Sequence, residues 1–162
     1  MQPDFQIFAL TYAHFAHFFD LSDFQLSQLS ARRMIADKKP GYPCRVSLQD
    51  AEIGEEMLLL PFAHHPVDSP YQASGPIYVR KNAPAISWPV NQIPPMLPHR
   101  LLSVRAYSAE GMMLESNVTE GRTITETLRK CFENPSVDYV HIHNAKAGCY
   151  NCLVRRASPA SV

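Results

Sequence analysis

Nine of the 14 prolines in this chain fall between Pro61 and Pro98. Proline has no backbone N–H to give to a sheet ladder, so a central strand cannot be built from such a stretch. The region is expected to be ordered loop around one strand, "PIYVR", Pro76 to Arg80. Tyr71, Ile86, Trp88, Ile93 and Met96 give it apolar anchors that a domain linker would lack.

The flanking sequence must then supply the sheet. "MLLLPF", Met57 to Phe62, is an unbroken apolar run of strand length and reads as a buried strand. "LLSVRAY" and "MMLESNV" flank the turn Ser108-Ala109-Glu110-Gly111, a hairpin. "SVDYVHIH" and "CYNCLVRR" flank the turn "NAKAG" and form a second hairpin. "RRMIAD" and Arg45 to Leu48 read as further strands. Thr11 to Phe19 reads as a short helix with Phe15, Phe18 and Phe19 near one side. Ser22, with Gln25 three positions on, is a capping-box signature for a second short helix ending near Leu29. Thr123 with Glu126 repeats that signature, and Ile124, Leu128, Cys131 and Phe132 make an apolar helical stripe that Asn134-Pro135 ends. There is no βαβ alternation. The expected fold is α+β, one domain with a mainly antiparallel sheet, two hairpins, short N-terminal helices and one helix before the last hairpin. The compact part is expected over 11–156, with 157–162 a frayed tail.

Composition excludes several function classes. The 162 residues carry 15 Lys plus Arg and 15 Asp plus Glu, so no global field draws the chain to nucleic acid or an anionic membrane. No apolar run reaches the ~20 residues of a membrane span. Asp4 stands where a secretory signal wants positive charge, so a reducing cytosol and free thiols are expected for the four cysteines. Phosphate-cradling glycine loops, a GxSxG elbow and HExxH are absent, which disfavours a kinase, a nucleotide-fold dehydrogenase and an α/β-hydrolase.

The richest stretch is "VHIHNAKAGCYNC", Val140 to Cys152. Side chains of a strand alternate faces. Val140 and Ile142 therefore point to the core, while Tyr139, His141 and His143 share the other face. The hairpin register decides the place of Cys149. Pairing of His143 with Cys149, the register preferred here, puts both on the histidine face. Pairing of His143 with Tyr150 turns Cys149 to the Ile142 side. Cys149 and Cys152 face opposite ways on a regular strand, which disfavours a zinc ribbon, and the motif is misplaced for a thioredoxin. Cys44 lies at the mouth of the "PGYPCR" turn beside Arg45. His64 follows the apolar strand, at a loop end. His14, His17, His65 and His99 are read as surface or loop residues.

The blocks "KPGYPCRVSLQDAEIGE", "GPIYVR", "LLSVRAY" and "YVHIHNAKAGCY", in this order, resemble the bacterial family known as domain of unknown function 1203, over about Phe15 to Arg155. The resemblance implies a small single-domain cytosolic bacterial protein with no assigned activity. Cys44, Arg45, His64, Arg80, Arg105, His143, Asn144, Cys149 and Tyr150 match its pattern; Cys131 and Cys152 do not.

Three functions follow from the residues. The first is a small enzyme in which Cys44 or Cys149 is the nucleophile, with His143, His141 or His64 as base. Its pocket would lie beside the Tyr139–His143 strand, edged by the "PGYPCR" turn. Arg45, Arg80, Arg105, Asn144, Lys146 and Tyr150 would hold a small anionic or carbonyl substrate. The second is a metal-binding protein with zinc or iron on His64, His141, His143 and a cysteine. The third is a non-catalytic module that binds a small anionic molecule. The chain is expected to act as a monomer or homodimer.

Overall fold

Strand pairing sorts the chain into two antiparallel sheets. The structure is a computed structural model and describes residues 1–158. One sheet has five strands in the order β1-β8-β7-β5-β6, the other three in the order β2-β3-β4. The strands are β1 (Phe5–Phe8), β2 (Arg32–Ile35), β3 (Glu56–His65), β4 (Ala73–Arg80), β5 (Leu101–Tyr107), β6 (Met113–Glu120), β7 (Tyr139–Asn144) and β8 (Tyr150–Arg156). Two α-helices join them, α1 (Asp23–Gln28) and α2 (Ile124–Glu133). The result is a single α+β domain with both expected hairpins, β5–β6 and β7–β8. No helix among the described residues is long and apolar enough to cross a membrane.

Alternation on β7 divides the larger sheet into two unlike faces. Val140 and Ile142 join Leu102, Val104, Cys152 and Val154 against the α2 stripe of Ile124, Leu128, Cys131 and Phe132, forming the main core. The opposite face carries Ser103, Arg105 and Tyr107 across from His143, His141 and Tyr139. The three-stranded sheet lies over that second face. Its own outer side, with Leu58, Leu60, Ile77 and Val79, packs on Phe15, Phe19 and Leu26 of the N-terminal segment.

The prolines obey the edge rule. Pro61 of β3 stands opposite Pro76 of β4. Facing residues in an antiparallel pair either exchange both N–H bonds or neither, so two opposed prolines fit only the second kind of position. The β2 pairing also ends at Leu59, before Pro61 is reached. The remaining proline-rich chain is ordered. Asn91 N–H donates to Phe5 O at 2.9 Å, and its Oδ1 accepts from Phe5 N–H at 3.1 Å, covering the free edge of β1. Met96 and Leu97 are fully buried in the core.

Several local expectations are corrected. Thr11 to Phe19 is two 3-10 turns, Tyr12–His14 and Ala16–Asp20, because the segment is too short and aromatic to hold an α-helix alone. The Ser22–Gln25 capping box forms as expected. At α2 no cap bond forms, because a 3-10 turn precedes the helix and Thr123 Oγ1 donates to Glu120 O at 3.1 Å. Arg45 to Leu48 is not a strand. It closes a turn, with Leu48 N–H donating to Cys44 O at 2.9 Å and a left-handed Leu48. The compact part begins before Thr11, since β1 pairs with β8 and buries Phe5 and Ile7. It also extends past 156: Ala157 N–H donates to Asp4 O at 2.9 Å, while 159–162 of the expected tail lie outside the described residues.

Gly121 joins the proline-rich segment to the hairpin. Its N–H donates to Arg100 O at 2.8 Å, and a Cβ there would lie 1.9 Å from Leu97 O. The obstacle is backbone, which cannot swing aside. Gly121→Ala is therefore expected to lower unfolding free energy by at least the roughly 1–3 kcal/mol of an overpacked site, read as a lower urea midpoint with an unchanged slope.

Candidate functional site

The face between the sheets is polar, which is unusual for a buried layer. β7 supplies Tyr139, His141 and His143, β5 supplies Tyr107, and β8 supplies Tyr150. β3 runs two residues beyond its apolar stretch to bring in His64 and His65. The tilted His65 ring lies 4.2 Å from Tyr107, and His64 stacks 5.3 Å from Tyr150 and lies 5.0 Å from His143, ring centre to ring centre. His141 is only 4 % exposed and His143 not at all. A β3 bulge between Phe62 and His65 lets the strand place both its imidazoles in this layer.

Hydrogen bonds orient some of these rings and leave others bare. His65 Nδ1 faces Tyr71 O at 2.7 Å and its Nε2 faces the Tyr139 hydroxyl at 2.5 Å. A carbonyl can only accept, so Nδ1 carries a proton. The same argument puts the His143 proton on Nδ1, 2.8 Å from Gly148 O. Its Nε2, and the Nδ1 atoms of His64 and His141, are enclosed without a partner among the described residues. No carboxylate takes part in this cluster's hydrogen bonds, and the nearby Arg105 is a cation. Burial therefore dominates: it pushes His141 down to about 2 and His143 to about 3, with His65 and Arg105 adding to the effect on His141. His64 is lowered for the same reason. His141 and His143 are neutral at neutral pH. Among the described residues no three His, Cys, Asp or Glu side chains are placed to hold one metal ion. The expected zinc or iron set of His64, His141 and His143 thus stands as a cluster of neighbours without converging on one point.

A cavity of about 370 Å³ opens beside this layer. Gly41, Pro43 and Arg45 of the "PGYPCR" turn form one wall, and Asn144, Ala147 and Cys149 of the β7–β8 turn form another. Leu59, Pro76 and Tyr78 of the smaller sheet close it, and Arg100 reaches in from the start of β5. Arg45 is 1 % exposed. Its Nε donates to Tyr150 O at 2.7 Å and its Nη1 to Pro43 O. Among the described residues no carboxylate pairs with it. Burial pushes this guanidinium down to about 10, and the Cys149 sulfur is the neighbour that most opposes the shift. Arg100 differs: both Nη atoms bind the buried Asp50 carboxylate, at 2.9 and 2.5 Å.

With this geometry in view, the comparisons decide the family. The family model described as "Protein of unknown function (DUF1203)" matches residues 41–156. The chain belongs to this family. No curated protein and no solved structure matches it. The DUF1203 region contains both walls of the cavity and every imidazole of the layer.

The other sequence candidates of this DUF1203 chain fall in different places. The preferred hairpin register does not occur. His143 faces Tyr150, and Ile142 faces Cys152, so Asn151 is an extra residue bulged from β8. That bulge leaves Cys149 in the turn, half-buried at the cavity, instead of in the core behind Ile142. His141 and His143 do not open into the cavity, because the smaller sheet covers them. His64 is in β3, not in a loop. Cys44 is fully buried, and its sulfur accepts N–H bonds from Arg80 at 3.3 Å and Ser47 at 3.5 Å. Arg80 is bound at both ends of its guanidinium by Glu55, at 2.6 and 2.7 Å. Arg105 stays in the histidine layer, with Nε on Ser103 Oγ at 3.2 Å. Lys146 is exposed on the turn, and Tyr150 is buried with its ring in the layer. The residues that sequence reasoning missed are His65 and Arg100. His65 lay beyond the apolar run that ended at Phe62, and Arg100 carried no local signal.

The depressed His141 and His143 make stability depend on pH. In the unfolded chain they titrate near their ordinary value of about 6.5. Between that value and the depressed folded values the unfolded chain binds more protons, so stability is lost as pH falls. Each ring contributes a slope of about 1.4 kcal/mol per pH unit below about pH 6.5. The urea midpoint should fall steadily from about pH 7 to about pH 5, and less steeply in His141→Gln. A wild-type midpoint that is level across this range would contradict the assignment.

Proposed function

We propose that the chain binds a small anionic molecule, a carboxylate or a phosphate, in the cavity between the "PGYPCR" turn and the β7–β8 turn. One observation carries the reading: Arg45 is buried at the cavity wall with no carboxylate partner. Removing a cation from water costs several kcal/mol even after relaxation, and backbone carbonyls offset only part of that cost. Among the described residues the third guanidinium nitrogen, Nη2, has no hydrogen-bond partner. An anion in the cavity would supply the missing charge through charge-assisted hydrogen bonds, which are about twice as strong as neutral ones.

Asn144 fits the same role. Its Oδ1 accepts from Asn151 Nδ2 at 2.8 Å, which leaves its own amide nitrogen free to donate. Leu59, Pro76 and Tyr78 offer apolar contact for the rest of a ligand. The volume suits a metabolite-sized molecule, since ligand cavities begin at roughly 300 Å³.

Thermal unfolding with inorganic phosphate, acetate and oxalate, against sodium chloride at matched ionic strength, tests this. At ~100 times its dissociation constant a binding anion should add about 2.7 kcal/mol. The gain should vanish in Arg45→Met. Asn144→Asp keeps the acceptor for Asn151 but places a negative charge in the cavity, so it should weaken the gain while leaving the fold intact. Equal stabilisation by chloride and by all three anions would sink the reading.

A further inference from the structure

We infer that Cys149 is the reacting group of this cavity and that its substrates carry a carboxylate next to an electrophilic carbonyl carbon. This rests on the anion-binding reading and adds chemistry to it.

The four cysteines differ sharply in access. Cys44, Cys131 and Cys152 are buried, and only Cys149 is half-exposed. Burial pushes Cys131 and Cys152 up to about 12, which removes them as nucleophiles near neutral pH. The Cys44 sulfur is enclosed and taken up by two backbone N–H groups. Cys149 alone borders the cavity.

Its position is held from both sides. Asn144 N–H donates to Cys149 O and Gly148 N–H to Asn144 O, each at 2.9 Å, which closes the turn. Gly148 at φ +84° supplies the left-handed step that the turn needs. Arg45 Nε is bonded to the carbonyl of Tyr150, the residue after Cys149. Guanidinium and thiol are thus tied to neighbouring points of one backbone, and an anion gripped by Arg45 is delivered beside the sulfur. Such fixed placement turns an encounter between two molecules into a step within one complex.

The step itself balances without an oxidant. The Cys149 sulfur, as thiolate, adds to the carbonyl carbon and forms an S–C bond. The carbonyl π pair moves to oxygen, which takes up one proton in place of the one the thiol released. The product is a thiohemiacetal, and nothing leaves. The free amide nitrogen of Asn144 is a donor for the developing oxyanion.

Alkylation of the full-length protein by two reagents of like size tests this. Iodoacetate and iodoacetamide both form an S–C bond and expel iodide, but only iodoacetate carries the carboxylate. Iodoacetate should label Cys149 faster, by roughly tenfold or more, with saturation and with protection by inorganic phosphate. Peptide mapping should place the label on residue 149. In Arg45→Met the preference should disappear, and in Asn144→Asp it should reverse. Glyoxylate, which has the carbonyl, should protect Cys149 from iodoacetamide far better than acetate, which lacks it. A label on another cysteine, or equal rates with both reagents, overturns the inference. Equal protection by glyoxylate and acetate overturns the carbonyl chemistry. Anion stabilisation that persists in Cys149→Ser while wild-type Cys149 stays unlabelled leaves the binding site standing and removes only the thiol. Loss of both the anion effect and the reagent preference removes the binding reading as well.

Discussion

One buried cation organises the functional end of this molecule. Arg45 reaches from the "PGYPCR" turn to the first carbonyl of β8 and to Pro43 O on its own turn. It thereby fastens two segments more than a hundred residues apart in the chain. The cavity is the space left between the segments it joins. Without this guanidinium the Tyr150 carbonyl would be a buried acceptor without a donor, and the β7–β8 turn would lose its anchor. The same contact that holds the fold also leaves a positive charge without a counter-charge. Structure and ligand chemistry share one residue here.

The polar layer between the sheets shows how histidine can be buried at tolerable cost. Four imidazoles and three tyrosines meet in a small volume, in stacked, tilted and edge-to-face pairs at centroid distances from 4.2 to 6.3 Å. Such contacts stabilise aromatic pairs beyond their area alone. His141 and His143, as neutral rings, avoid the desolvation cost that imidazolium would carry. The layer is therefore a packing surface at neutral pH and a strained one in acid. It stands behind the cavity and lends it a rigid wall without lining it.

Arginine behaviour separates structure from function within this chain. Arg80 and Arg100 are each met by a carboxylate, Glu55 and Asp50, in two-point contacts. They brace the loops around β3 and the start of β5. Among the described residues Arg45 and Arg105 have no such partner; one lies at the cavity wall and the other in the histidine layer. A sequence cannot separate these two groups, because Glu55 and Asp50 are far from their partners along the chain. The β3–β4 register brings Arg80 to Glu55, and the loop ahead of β5 brings Arg100 to Asp50.

Much of the fold was legible because local physics decides it. The apolar run at Met57, the turn at Gly111, the stripe from Ile124 to Phe132 and the alternation at Val140 and Ile142 each carry their own signal. The proline density marked most of 61–98 as loop, but β3, the middle strand of its sheet, runs on through Pro61 to His65. By contrast, β1 is only four residues long and exists through its pairing with β8, so no local pattern announced it. The sequence alone determined that the histidines of β7 share one face. It did not determine whether that face meets water or a second sheet, since this depends on how the sheets pack. Nor did it determine the place of Cys149: one bulged residue, Asn151, sets that, and a bulge arises from pairing between strands.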